Sequence, residues 1–154
     1  MSQAELALLL DERAIARAIH GFARAMDERD WSALERVLRE DATADLGTGL
    51  LEGRAAIVAQ MRSFLDACGP TQHLIGNLQV EVAGGEASSR CYVSDLHKGA
   101  GERSELVFST LGEYHDRWRR EGPHWWLVHR SKLTRAMLGS LEVLGPGPPG
   151  WRAR

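Results

Sequence analysis

The stretch TQHLIGNLQVEV, residues 71–82, contains the pattern that decides the fold. Apolar side chains recur there at every second position, which is the period of a half-buried β-strand; they are Leu74, Leu78, Val80 and Val82. Gly84-Gly85 follows as a hairpin turn. The chain then predicts three further strands, over Ala87–His97, Leu106–Trp118 and Trp125–Arg135. These four segments form a meander of long antiparallel strands.

Upstream of this stretch the period changes to that of a helix. Apolar residues separated by three or four positions predict a helix over Asp11–Arg29 with Asp11 as its N-cap; they are Ile15, Ile19, Phe22 and Met26. A short second helix is predicted to begin at the cap Asp30, and a third to cover Arg54–Ala67. A small hairpin, Ala42–Leu46 and Leu50–Glu52, lies between them.

Helices followed by a run of strands predict an α+β domain. We expect a cone-shaped barrel, in which a curved and mainly antiparallel sheet is covered by the three N-terminal helices around a pocket. Residues 1–144 form this single domain, and residues 145–154 are predicted to be a flexible tail rich in glycine and proline.

The composition excludes several classes of protein. The chain has 154 residues, 44% of them hydrophobic, with 19 basic and 21 acidic side chains and a net charge of −2. This balance is unlike that of a disordered chain or a basic nucleic-acid binder, so neither nucleic acid nor a membrane is an expected partner. The N-terminus carries Glu5 but no Lys or Arg, unlike a signal peptide, and this predicts the cytoplasm.

Motifs for metal or nucleophilic chemistry are missing from the sequence. Cys68 and Cys91 lack the spacing of zinc ligands and are interpreted as small buried residues. The histidines of the sequence form no HxH or HExxH pair. We therefore expect no metal and no cofactor. The tryptophans 118, 125 and 126 flank a turn, where packing is more common than ligand stacking.

Polar residues continue an apolar face in the strand Ala87–His97. Its odd positions include Cys91 and Val93, yet that face ends in Asp95 and His97. Ionisable groups on a core face are either partnered or functional, unless the face simply runs out into solvent near Gly99. His73 and Asp27 are weaker candidates when taken alone, because a lone histidine is more often structural and a carboxylate near a helix end is more often solvated.

Several segments together resemble the SnoaL-like branch of the nuclear transport factor 2-like superfamily. The resemblance covers about residues 8–140 and rests on Met26-Asp27-Glu28-Arg29-Asp30-Trp31, Leu51-Glu52-Gly53-Arg54, Thr71-Gln72-His73-Leu74-Ile75-Gly76-Asn77, Gly112–Trp118 and Trp126–Arg130. Within that branch, cofactor-independent enzymes are similar: scytalone dehydratase, hexachlorocyclohexane dehydrochlorinase and the bile-acid dehydratase.

The resemblance implies roles for individual residues. Asp27 and His73 stand where those enzymes have a catalytic pair, while Asp95 and Arg135 match further residues of the bile-acid enzyme. His97 is placed like the second histidine of scytalone dehydratase. Phe22 is a departure, because the enzymes have a tyrosine or a lysine there, so a general acid or anion stabiliser is missing from that position.

Acid–base chemistry follows if Asp27 and His73 meet in a dry pocket. The carboxylate would orient the imidazole, which would take a proton from a carbon acid or a water, and Arg135 would stabilise an oxyanion. The expected substrate-binding residues suit a small hydrophobic molecule with a ring; they are Phe22, Met26, Met61, Phe64, Leu65, Val93, Asp95, His97 and Phe108.

The sequence therefore predicts a dehydratase, isomerase or cyclase that needs no cofactor. A non-catalytic binding domain and an oligomeric scaffold of the same fold remain the alternatives. A homo-oligomer, either a trimer or a dimer, is expected because helices cover only one face of the sheet.

Overall fold

A computed structural model describes residues 1–148 of the chain. Two α-helices, α1 (Gln3–Glu28) and α2 (Arg54–Leu65), precede most of the sheet. The strands are β1 (Leu38–Asp45), β2 (Leu50–Glu52), β3 (Thr71–Ala83), β4 (Glu86–Lys98), β5 (Val107–Glu121) and β6 (His124–Gly139). Short 3-10 helices cover Trp31–Arg36, Gly101–Arg103 and Leu141–Leu144. Within residues 1–148, no helix has the length and hydrophobicity of a membrane span.

The strands form one curved, unclosed sheet in the order β2-β1-β6-β5-β4-β3. Each neighbouring pair is antiparallel except β1 and β6, which run parallel. The predicted α+β class and the four-strand meander are confirmed. The parallel pairing of β1 with β6 was not predicted, because it joins segments about 85 residues apart, and local periodicity does not report pairing over that distance.

The core lies between α1 and the inner face of the sheet. The predicted stripe of α1 is buried, and each of its large apolar side chains contributes about 1.5–3 kcal/mol on burial. Trp118 and Trp125 belong to this core, where their indole N–H groups bond Ser89 and Asp11. Their role is therefore packing. Cys91 is buried and Cys68 half-buried, and both are free thiols.

The start of α1 differs from the sequence-based prediction. The helix begins at Gln3, where Ser2 and Glu5 form a reciprocal capping box, and Asp11 lies inside the helix. The Asp11 carboxylate accepts hydrogen bonds from Arg120 and Trp125 instead. The apolar stripe did not reveal this first part of the helix, because the leucines before Asp11 are exposed.

The second predicted helix is a single 3-10 segment. Asp30 caps it as predicted, through a bond from the Ala33 N–H to its side chain, but the chain then enters β1 at Leu38. The end of the fold is the 3-10 helix Leu141–Leu144, which packs Val143 and Leu144 on Phe108. Of the predicted tail, Gly145 is buried, and residues 149–154 lie outside the described residues.

Candidate active site

Asp27 and His73 meet where the end of α1 crosses the start of β3. Asp27 Oδ1 lies 2.7 Å from His73 Nδ1, and Oδ2 accepts the His73 backbone N–H at 2.9 Å. The Thr71 hydroxyl donates to Oδ1 at 3.0 Å. Because one carboxylate binds both the ring and the backbone of His73, the orientation of the imidazole is set by the chain itself.

The hydrogen bonds of this pair favour an ionised Asp27. Burial by itself raises the pKa of Asp27, but the hydrogen bonds from His73 and Thr71 outweigh it and hold that pKa below its ordinary value. An ionised Asp27 accepts a proton-bearing Nδ1, so the lone pair of His73 is on Nε2. The His73 side chain is only 4% exposed, which limits competition from water.

Arg29 holds the segments that carry the pair. Its guanidinium donates to the carbonyls of Met26, Leu65 and Gly69 and to the hydroxyl of Thr71, the residue that bonds Asp27. It occupies the left-handed region at φ 57°, as the residue that ends α1. The ends of α1 and α2 and the start of β3 are thus joined by one side chain.

A cavity of about 870 Å³ opens beside His73. Its walls are mainly apolar, and seven of the nine predicted substrate-binding residues line it: Phe22, Met26, Met61, Phe64, Leu65, His97 and Phe108. Val93 and Asp95 are buried in the wall behind it. Asp27 likewise lies behind His73, so the ring and not the carboxylate faces a ligand.

Arg135 does not line this cavity, which corrects its predicted role as oxyanion stabiliser. Its side chain is 67% exposed and pairs with Glu113 on the outer face of the sheet, while the neighbouring Thr134 lines the cavity. Arg135 is the extra residue at a register shift, because Thr134 pairs with Gly112 and Ala136 with Leu111.

Two cations that the sequence did not single out line the cavity from β6: Arg130 and Lys132. Trp125 and Leu127 are buried in the first part of this strand. A register shift opposite Arg117/Trp118 follows, and after it Arg130 is buried. The shift changes the residues that face inward from odd to even numbers. The sequence offered one signal, since Lys132 is one of only two lysines.

Arg130 explains the aromatic residue at position 22. Its guanidinium carbon lies 4.2 Å from the centre of the Phe22 ring and 4.0 Å from that of Tyr114, so it is stacked between the two. It is 2% exposed and forms a two-point ion pair with Asp116 at 2.8 and 2.7 Å. Its Nη1 has no hydrogen-bond partner among residues 1–148.

Lys132 forms a second buried network with Asp95. Asp95 Oδ2 accepts from Lys132 Nζ and from the Thr110 hydroxyl, each at 2.7 Å, and Oδ1 accepts the Thr110 N–H. Burial raises the pKa of Asp95, but the Lys132 ammonium outweighs it and keeps the pKa below its ordinary value. The acid on the core face of β4 is therefore partnered.

His97 is the neutral member of the site. Its ring stands perpendicular to that of His73, with centres 5.4 Å apart, and its Nδ1 lies 3.7 Å from Asp95. Burial lowers its pKa to about 4, although Asp95 opposes this. At neutral pH the Nδ1–H of His97 donates to the Phe108 carbonyl, and Nε2 is an uncharged acceptor.

The donor set His73, Asp95 and His97 could in principle hold a metal ion, since their ligand atoms lie within 4.8 Å of one another. Its hydrogen bonds favour another use. Asp27 already binds Nδ1 of His73, and the Asp95 oxygens are engaged by Thr110 and by the positive Lys132, which would repel a cation. The arrangement is suited to moving a proton.

Comparisons with known proteins agree with this fold. The family model for the SnoaL-like domain matches residues 7–131. An uncharacterized protein of Mycobacterium tuberculosis, Rv2910c, is 30% identical over 131 residues, covering 84% of this chain and 88% of its own.

Two solved structures from other bacteria have the same architecture. A protein of Novosphingobium aromaticivorans, provisionally described as a scytalone dehydratase, is 22% identical with a TM-score of 0.77, covering 86% of this chain and 89% of its own. The hexachlorocyclohexane dehydrochlorinase LinA-type3 of Novosphingobium barchaimii is 17% identical with a TM-score of 0.78, covering 94% and 99%. Because the family model matches most of the length of this chain, the chain belongs to the SnoaL-like domain family.

Proposed function

We propose that this protein is an acid–base enzyme that needs no cofactor, of the dehydratase, isomerase or cyclase type. The observation that carries the proposal is the 2.7 Å contact between Asp27 and His73 at the wall of a mainly apolar cavity. His73 Nε2 is the base, and Asp27 orients the ring and stabilises its charged form.

The other groups of the cavity serve the same chemistry. In an elimination, the positive charge of Arg130 in the cavity wall would stabilise the negative charge that develops on a departing hydroxyl or halide. The neutral His97, beside His73, would accept a hydrogen bond from the substrate through Nε2, because its Nδ1 donates to the Phe108 carbonyl. The apolar walls and the volume of about 870 Å³ favour a hydrophobic substrate that contains a ring.

The test uses ring compounds with acidic C–H bonds. The full chain is incubated in D₂O with 2-tetralone, 3-hydroxy-1-tetralone and a chlorinated cyclohexane, and deuterium uptake and loss of water or chloride are followed by NMR. We expect turnover of at least one compound, reduced 10²–10⁴-fold by Asp27→Asn or His73→Gln. Glu28→Gln is the matched control, because the neighbouring carboxylate is 62% exposed and points away.

A non-catalytic binding domain is the second candidate. It is favoured by the apolar Phe22 at the position where related enzymes have a polar group, and by the pairing of Arg130 and Lys132 with buried carboxylates. Binding of the ring compounds without turnover, equal in the protein and in Asp27→Asn, would establish this reading and refute catalysis.

We also propose that the outer face of the sheet joins copies of the chain into a trimer or dimer. Large apolar side chains share that face at neighbouring register positions and are at least 45% exposed: Leu74, Tyr92, Leu96, Leu111, Leu133 and Leu138. Exposed apolar patches of this kind are characteristic of interfaces.

A further inference from the structure

Lys132 lies in the wall of the cavity, where the proposed acid–base reaction needs a hydrogen-bond donor to an oxygen of the substrate. We propose that Lys132 binds the carbonyl oxygen of the substrate, and that the substrate class is therefore a neutral ring ketone with an enolisable C–H. This inference rests on the proposed acid–base function and adds to it the group that recognises the substrate.

The geometry of Lys132 leaves it one donor for a ligand. Its side chain lines the cavity and is 17% exposed, and Nζ bonds Asp95 at 2.7 Å and the Thr110 hydroxyl at 3.2 Å. An ammonium group has three N–H donors, so one remains after these two contacts. As an ammonium ion paired with Asp95, Lys132 is a hydrogen-bond donor and not a nucleophile.

The base and this donor lie around a single carboxylate. Asp95 has an oxygen within 4.8 Å of ring nitrogens of both His73 and His97, and Lys132 binds the same carboxylate. The α-proton and the oxygen of an enolisable ketone are separated by only two heavy atoms. A ring ketone in the cavity can therefore present its C–H to His73 while its oxygen accepts from Lys132.

The charges of the cavity favour a neutral carbonyl over a permanent anion. Both cations that line the cavity, Arg130 and Lys132, are already paired with the buried carboxylates Asp116 and Asp95. Within residues 1–148 the cavity therefore has no cation left unpaired for an anionic ligand, whose charge would lie in mainly apolar surroundings. A ketone enters uncharged, and its negative charge develops only as His73 becomes positive.

The chemical step needs no further reactant. His73 Nε2 takes the α-proton, the electrons of that C–H bond form the C=C of the enolate, and the C=O π electrons move to the oxygen that Lys132 bonds. In D₂O the His73 imidazole exchanges this proton for a deuteron from the solvent and delivers the deuteron to the same carbon of the substrate. The net reaction is hydrogen exchange, with no oxidation or reduction.

The experiment uses 2-tetralone labelled with ¹³C at its carbonyl and the full chain. Two signals are measured: the ¹³C shift of the bound carbonyl, which moves downfield on hydrogen bonding, and the rate of deuterium uptake beside it. We expect Lys132→Met to abolish the downfield shift and to slow exchange 10²–10³-fold. Lys98→Met, which removes the only other lysine, is expected to change neither signal.

A second variant separates function from folding. Because Lys132→Met leaves Asp95 buried without its cation, the double variant Asp95→Asn/Lys132→Met removes both charges and is expected to lose the same two signals. If either folded variant keeps the carbonyl shift and the exchange rate, the inference is overturned and the Asp27–His73 proposal stands.

Failure of the proposed function gives a different result. A carbonyl shift that depends on Lys132, without any catalysed exchange, would support the binding role and refute the acid–base enzyme. His73→Gln is expected to stop exchange while the shift persists, which supports both proposals. If 2-tetralone does not bind, or binds with an unshifted carbonyl, the assignment of Lys132 is wrong.

Discussion

Replacing Arg29 tests whether a single side chain holds the candidate site together. We expect Arg29→Ala to lower the free energy of unfolding by about 3 kcal/mol. The guanidinium makes partly buried hydrogen bonds with four backbone carbonyls and the Thr71 hydroxyl. Bonds from a charged donor contribute roughly 1.5–3 kcal/mol each, without adding in full. Water can bond some of the acceptors that Arg29→Ala leaves free. The expected cost is therefore that of no more than two such hydrogen bonds.

The assay is thermal and urea unfolding at pH 7. For a domain of this size about 3 kcal/mol corresponds to a fall in Tm of roughly 6–12 °C. Alanine occupies the same left-handed backbone position at similar cost as arginine, so the comparison isolates the side chain. Arg29→Lys is expected to be intermediate, because it keeps the charge but not the planar fork that reaches several acceptors.

Arg24→Ala is the matched control. Arg24 lies on the same helix, is 80% exposed and makes only a loose ion pair with Glu28, so its removal should cost less than about 0.5 kcal/mol. If Arg29→Ala and Arg24→Ala destabilise the protein equally, Arg29 does not hold these segments together and the reasoning fails.

Three further predictions concern pH and assembly. The pKa of His97 is about 4 in the folded protein and near 6.5 in the unfolded chain, so the free energy of unfolding should decrease by about 3 kcal/mol as the pH falls from 6.5 to 4. Urea unfolding of His97→Asn should not show this decrease. The pKa of Asp27 is lowered in the folded protein, so its contribution to stability is fully present above its unfolded pKa, near 3.9, and is lost as the pH falls through the folded pKa. Asp27→Asn should remove this acid dependence of Tm, and an unchanged pH profile of Tm would contradict the prediction. Leu111→Glu should yield monomers in light scattering at micromolar concentration, whereas a monomeric unaltered protein would refute the proposed interface.

Much of the candidate site was predictable because its residues lie in unbroken patterns. The alternation of β4 placed Asp95 and His97 on the buried face, and both are buried there. The helix stripe that contains Phe22 and Met26 placed Asp27 at its end, while the pairing of Asp27 with His73 was implied by the family resemblance. In these segments each side chain points in a direction that follows from its neighbours, so local sequence was enough.

The remaining part of the site depended on breaks in those patterns. Arg135 was expected in the cavity and lies outside it, whereas Arg130 and Lys132 line it. The start of α1 was misplaced for a related reason, since its capping box precedes leucines that are exposed and so adds no buried stripe.

The sequence by itself determined the α+β class and the meander of four strands, because periodicity reports on local order. The family resemblance implied the pair Asp27 and His73, which lie on distant segments of the chain. Only the tertiary structure decided which cations line the cavity, that Phe22 packs against Arg130, and that β1 pairs with β6. The physical reason is that alternation assigns a face only while the register is unbroken. Each of the two register shifts between β5 and β6 turns the following side chains of β6 to the other face, and contacts between distant segments determine where the shifts occur.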